Sequence, residues 1–264
     1  MQFAFFECDI IKNIKVIRRN STFMKITNTQ SFFVKIYEVN NEKVVRRRKR
    51  KGLHAYPRTL PLKSINKVLK QTSVNFPKIY FNGLNYVYEE YIRSTQDIND
   101  ISNEQLMNHV IEYITKLYNI NCKRKNLWNN NSEFFKFQID NLKNVVKVKN
   151  LDVHLQEIDE LYQDLDNSRK LCFIHGDIHK KNMIINDKFY LIDWELATFG
   201  DLAYELAMHF ILMDYSAKEK EVFINKLCKN IDVNVDDLTR DVDLYIKFEK
   251  YRKFILNNEK HLKN

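Results

Sequence analysis

The segments H-G-D-I-H-K-K-N, His175 to Asn182, and I-D-W-E, Ile192 to Glu195, hold the residues best suited to chemistry. Asp177 precedes Asn182 by five positions, and Asp193 follows Asn182 by eleven. Transfer of a phosphoryl group needs such a set. One carboxylate must accept the proton of an attacking hydroxyl. A second carboxylate and an amide oxygen must hold a cation against the phosphates. Mg²⁺ is hard and prefers oxygen, so Asp and Asn suit it where Cys or His would not. Asp177 is therefore the candidate catalytic base, and Asn182 and Asp193 are the candidate Mg²⁺ ligands. His175 reads as a brace of the loop. His179, two residues beyond the base, faces either substrate or solvent.

Such groups need short, rigid supports. Leu171 to Ile174 reads as a buried strand entering the loop. Met183 to Ile185 and Phe189 to Ile192 read as a hairpin around Asn186 and Asp187, which would set Asn182 and Asp193 at two sides of one cation. Asp201 suits a helix N-cap, with Leu202, Leu206 and Phe210 following. Trp194 reads as packing. Residues 103–120 carry Leu106, Val110, Ile114 and Leu117 as a helical stripe. Residues 132–149 and 152–166 repeat that character, and two more helices are expected at about 217–230 and 236–262. All three prolines lie at or before Pro77, so long helices are expected beyond it.

Upstream, residues 14–39 read as strands, with a turn at Arg18 to Ser21. Residues 74–92 read as two strands around Asn82 and Gly83. Residues 41–55 contain six consecutive basic residues, Arg46 to Lys51. They read as the exposed face of a helix, with a nuclear address or RNA patch as the other reading.

Residues 1–92 carry 18 Lys and Arg against 6 Asp and Glu, a balance of +12, and residues 93–264 carry 25 against 28, a balance of −3. That split suits a polyanion on one side of a cleft and a neutral or cationic partner on the other. Four scattered cysteines show no metal-type pairing and point to a reduced, cytoplasmic protein. No apolar run reaches the roughly 18 residues of a membrane span. The first residues lack the basic region of a secretory signal.

The catalytic blocks, together with L-I-D-W-E-L-A-T-F-G-D-L-A-Y-E-L-A from Leu191 to Ala207, resemble the core of the aminoglycoside phosphotransferase/choline kinase family. The resemblance implies an α+β, bilobal protein-kinase-like fold. Its N-lobe, residues 1–92, would be a small antiparallel sheet with a helix, and its C-lobe, residues 93–264, mainly helical. ATP or GTP would be the co-substrate. Lys35 matches the family lysine that binds the α- and β-phosphates. Ser21 and Thr22 would meet the phosphates or serve an ordinary turn. Glu42, with Glu38 as runner-up, would pair with Lys35 from a helix, because no Asp or Glu lies between Lys43 and Tyr88. Backbone groups around Glu90 to Ile92 would bind the base edge if this hairpin is the family's hinge. Asp201 and Glu205 would stabilise the loop.

No A-P-E motif can follow Asp193, because no proline follows Pro77. That argues against peptide docking and for a small hydroxyl-bearing acceptor, with no membrane or nucleic acid as partner. The acceptor implied is an aminoglycoside-type antibiotic or related amino alcohol. A choline/ethanolamine- or thiamine-type metabolite kinase is the alternative enzyme. A non-catalytic nucleotide- or nucleic-acid-binding protein is the alternative outside catalysis.

Overall fold

The computed structural model describes residues 23–24, 34–39, 42–48, 60, 62–82, 86–120, 128–145 and 165–261. They divide between two compact units, Met1–Lys51 with Phe76–Thr95, and Gly52–Asn75 with Gln96–Asn264. The first unit is a five-stranded antiparallel sheet: β1 Phe23–Met24, β2 Val34–Val39, β3 Glu42–Arg48, β4 Ile79–Asn82 and β5 Tyr86–Glu90, in the order β1-β2-β3-β5-β4. Ser21, Thr22, the strand expected at 14–17, residues 49–55 of the basic segment and residues 152–164 of the helix expected at 152–166 lie outside the described residues.

Two expectations are corrected here. Glu42–Arg48 is a strand, not a helix. Its β-branched Val44 and Val45 favour a pleated surface, and it is paired on both sides, Lys35 opposite Arg46 in β2 and Arg46 opposite Tyr88 in β5. Glu42 sits opposite Val39, four residues along from the register partner of Lys35, which is about 13 Å at the rise of a strand. The register does not bring Glu42 beside Lys35, and no helix carries it. The helix that does follow, α1 Leu62–Leu69, contains no acidic residue.

The second correction is the boundary. Residues 52–75 group with the C-terminal unit rather than with the sheet. The amphipathic α1 buries Ile65, Val68 and Leu69. The Leu60 N–H donates to Ala197 O at 3.1 Å, and Asn75 Nδ2 donates to Phe189 O at 3.2 Å. A cut at residue 92 would sever these contacts.

The second unit contains all six α-helices found among the described residues. After α1 come α2 Asn103–Tyr118, α3 Asn131–Val145, α4 Leu202–Met213, α5 Ala217–Cys228 and α6 Val235–His261. Capping boxes start α2 (Ser102 with Gln105) and α5 (Ser216 with Glu219). The stripe Leu106, Val110, Ile114 and Leu117 is buried as its spacing requires. Between α3 and α4 lie two small antiparallel pairs: β6 Cys172–Ile174 with β9 Thr198–Gly200, and β7 Met183–Ile185 with β8 Phe189–Leu191.

An aromatic core joins α3, α4 and α6. Phe134 meets Tyr204 edge-on, and Phe135 meets Tyr245 and Phe248. Gly200 sits where a Cβ would lie 2.7 Å from Ile174 Cδ1 and 2.8 Å from the Phe134 ring, so only glycine lets β9 approach. None of the described helices is long and apolar enough to cross a membrane.

Candidate active site

The loop that carries Asp177 leaves β6, whose three residues are all buried. It turns at once at Gly176, where φ is +79° and a Cβ would meet Leu196 O at 3.0 Å. Glycine is the residue that adopts such a turn without a steric cost. Helix α4 then clamps the loop. Glu205 accepts from the N–H groups of His175 (3.3 Å) and Gly176 (2.7 Å). One turn further, His209 Nδ1 lies 2.9 Å from Ile178 O. A carbonyl accepts, so Nδ1 carries the hydrogen. One turn back, Asp201 caps α4 through Ala203 N–H and pairs with Arg169 at 2.8 Å. Asp201, Glu205 and His209 thus form an i, i+4, i+8 ladder on one helix face. All three are buried.

This clamp leaves Asp177 presented at the loop's apex, with its side chain 15% exposed. Its N–H donates to His175 Nδ1 at 3.2 Å. The opposite nitrogen of that ring, Nε2, therefore carries the hydrogen and donates to Ile192 O at 2.9 Å. Asn182 ends a short 3₁₀ turn, Lys180–Asn182. Its Nδ2 donates to Asp177 O (2.9 Å) and Asp177 Oδ2 (3.1 Å). The candidate base and one candidate ligand are thus joined directly.

Asp193 comes close through Ile192. The Ile192 N–H donates to Asn182 O at 2.9 Å, while its carbonyl takes the His175 hydrogen. Both backbone groups of the residue before Asp193 are therefore held by the loop that bears Asp177 and Asn182. The hairpin register, Met183 opposite Leu191, completes the placement. Asp193 itself is left-handed, φ 65° and ψ 54°, and its side chain makes no capping bond to the turn Trp194–Leu196. A non-glycine residue in this region costs about 1–2 kcal/mol. Trp194 holds it there. The indole N–H donates to Leu191 O at 2.8 Å, and the ring packs on His175 and Phe173.

The donor chemistry fits Mg²⁺. Commitment of the Asn182 amide nitrogen to Asp177 leaves its oxygen as the end for a cation, and Asp193 offers a carboxylate. Both are hard oxygen donors. Among the described residues no group of three His, Cys, Asp or Glu side chains is arranged for a metal. Mg²⁺ held by one or two protein oxygens ordinarily completes its shell with water and substrate phosphates. In the sheet unit, the Lys35 backbone lies within β2. The Glu90 N–H and carboxylate both serve Lys78, at 2.8 and 3.1 Å, which closes that end of the hairpin.

Glu205 gives the clamp a pH signature. Burial pushes its carboxyl up to about 7, against the two N–H donors that favour the anion. A raised carboxyl stabilises the folded state fully below its unfolded value and loses that contribution as pH rises through the folded value. Between pH 4.5 and 7 this group should therefore cost the fold on the order of 3 kcal/mol. Melting curves of the wild type and Glu205→Gln across pH 5–8 should converge at the acidic end and separate upward, the variant being the flatter. Parallel curves would remove Glu205 as the source.

Sequence reading missed three members of this assembly. His209 was signalled only by its spacing from Asp201 and Glu205. Arg169 and Asp241, paired at 2.8 Å, lie 72 positions apart and left no local signal.

Comparison with known proteins gives the family and the fold. A "Protein LicA homolog" of Mycoplasma capricolum subsp. capricolum is 25% identical over 182 residues, 69% of this chain and 66% of that relative. The chain spans less than two-thirds of the length of the curated relatives it matches. The structure of choline kinase LicA from Streptococcus pneumoniae superposes with a TM-score of 0.68 at 16% identity, over 94% of this chain and 91% of that one. Aminoglycoside phosphotransferase APH(4)-Ia, in complex with ADP and hygromycin B, gives 0.66 at 13% identity, over 97% and 92%. The fold is thus the α+β, protein-kinase-like one of these enzymes, a small antiparallel sheet and a mainly helical unit. Residues 12–232 match the model of the phosphotransferase enzyme family, and the chain belongs to that family.

Proposed function

We propose that this chain transfers the γ-phosphate of ATP or GTP to a hydroxyl of a small cationic amino alcohol of the choline type. The observation that carries the reading is the direct Asp177–Asn182 contact, 3.1 Å, with Asp193 fastened beside it through Ile192. Asp177 would take the proton of the acceptor hydroxyl as the oxygen attacks phosphorus. Asn182 and Asp193 would hold Mg²⁺, which when bound neutralises phosphate charge and orients the phosphates. Lys35, with Ser21 and Thr22, is assigned to the phosphates and the stretch Glu90–Ile92 to the base. Glu42 is dropped from that set because it stands in a strand, away from Lys35.

The acceptor class rests on two supports. The curated relative carries the LicA name, and the LicA of known structure is a choline kinase. The net −3 of residues 93–264 also favours a cation over an anion. An aminoglycoside antibiotic is the competing acceptor.

Two measurements test the reading. Mg²⁺ with ATP or GTP should stabilise the protein by about 2–3 kcal/mol at a hundredfold excess over Kd. Phosphate transfer should then be assayed against choline, ethanolamine, thiamine and aminoglycosides. Choline is expected to turn over, its O-methyl ether is not, and the KM for choline should rise with salt as exposed charges are screened. Absence of both a melting shift and transfer to any hydroxyl would remove the phosphotransfer reading. Turnover of aminoglycosides alone would move the acceptor.

A further inference from the structure

We infer that His179 is a positioning residue for the base, holding the Asp177 carboxylate through its Nε2 hydrogen. The inference rests on the phosphotransfer reading for its consequence, but the contact itself stands on geometry. His179 caps the turn Lys180–Asn182, and its Nδ1 accepts the Lys181 N–H at 3.2 Å. A ring nitrogen that accepts carries no hydrogen, so in the neutral ring the hydrogen sits on Nε2. Nε2 lies 3.5 Å from Asp177 Oδ1. The other oxygen, Oδ2, takes the Asn182 amide at 3.1 Å.

The two ends of one turn therefore address the two oxygens of one carboxylate. The terminal torsion of an Asp side chain is broad. Donors on both oxygens hold the plane of the carboxylate more firmly than a donor on one. The backbone of His179 is extended, φ −153° and ψ 166°, and its ring is only 21% exposed, so the second donor is itself anchored. The 3.5 Å separation is long for a hydrogen bond. Contacts of this kind commonly tighten in the reactive complex, here by about half an ångström to reach ordinary length.

The tautomer also limits what His179 can do. Its Nδ1 lone pair is engaged by Lys181, and its Nε2 already bears hydrogen. The neutral ring cannot relieve Asp177 of a proton. Its contribution is orientation of the carboxylate.

A capping role alone would predict the same turn, so two variants divide the functions of the ring. His179→Asn keeps an acceptor at the Nδ1 position but reaches nothing on Asp177. His179→Gln places an amide hydrogen at the Nε2 position but lacks the Nδ1 acceptor. If His179 positions the base, the Asn variant should lose about tenfold in kcat with unchanged nucleotide KM and melting temperature, since an interaction made in the transition state is removed. The Gln variant should regain most of that loss while melting lower. The reverse order, Asn normal and Gln impaired, would overturn the inference in favour of capping.

Imidazole ¹⁵N spectra of the whole protein, at a pH where the ring is neutral, supply a readout independent of turnover. The His179 Nε2 should read as protonated, and Asp177→Ala should move its proton resonance. An Nδ1-protonated His179 would overturn the inference whatever the activity. The expected spectra with no transfer to any acceptor would uphold the contact and sink the phosphotransfer reading instead.

Discussion

Asp177→Asn is expected to lose between about 10² and 10⁴ in kcat, the usual effect of removing a general base. Nucleotide affinity should stay within about threefold, because the groups assigned to the nucleotide are elsewhere. The substitution keeps the size of the side chain and one of its two contacts, because an amide nitrogen at the Oδ1 position would face the His179 Nε2 hydrogen. An Asn oxygen at the Oδ2 position would still accept from Asn182 Nδ2, and the backbone bond to His175 Nδ1 is untouched. Asp193→Ala makes the contrast. It removes a carboxylate proposed for Mg²⁺, so nucleotide affinity should fall together with turnover. Titration calorimetry with Mg²⁺-ATP, set beside initial rates, separates the two. Near-normal turnover in Asp177→Asn would take the base assignment away, and equal nucleotide affinity in Asp193→Ala would take away the metal assignment.

The largest stability effect is expected at Arg169, which touches no reactant. Its guanidinium bridges Asp201 and Asp241, each at 2.8 Å, with all three side chains at most 1% exposed. Asp241 receives the Asp166 N–H as well, at 3.0 Å. Arg169→Met leaves buried Asp201 without its counter-charge, and leaves Asp241 with only Arg240, paired with it at 3.1 Å. Breaking a buried pair from one side typically costs about 3–5 kcal/mol, mostly as the penalty on the stranded charge. For a chain of this size that is a fall of roughly 10 °C in Tm. Replacing all three residues together by apolar side chains of similar volume should cost much less, since the desolvation penalty goes with the charges. Circular-dichroism melts of both variants decide it. A single variant that melts with the wild type would show that the network contributes nothing measurable.

The Arg169 network also explains why the site holds its shape. Asp201 is both the first rung of the α4 ladder and a partner of Arg169. Loss of the guanidinium would therefore disturb the helix whose next rungs hold the loop of Asp177. A fall in kcat in Arg169→Met below its melting point would follow from that route.

Local physics made much of the catalytic segment legible in the sequence. The hairpin 183–191, the Asp201 cap and helices α2, α3, α4, α5 and α6 each depend on neighbours within a few positions. Alternation, helical spacing and cap chemistry encode those directly. Residues 42–48 went astray for the same reason. A run of Arg and Lys carries no strong local preference for strand or helix, so the pairing of β3 with β2 and β5 decided the outcome, and the expected helix glutamate vanished with it.

Residue types and spacing by themselves determined the chemistry on offer: a candidate base at Asp177 and hard oxygen donors at Asn182 and Asp193, while the stiffening of the loop from Asp201 and Glu205 was implied by the family resemblance. Tertiary structure alone decided how those groups are held. The double clamp on Ile192, the Asn182 and His179 approach to opposite oxygens of Asp177, the His209 bond to Ile178 and the burial of Arg169 between Asp201 and Asp241 all depend on groups meeting in space. Hydrogen bonds act over about 3 Å and are indifferent to separation along the chain. A one-dimensional pattern therefore shows which groups are present, while only the folded chain shows which of them touch.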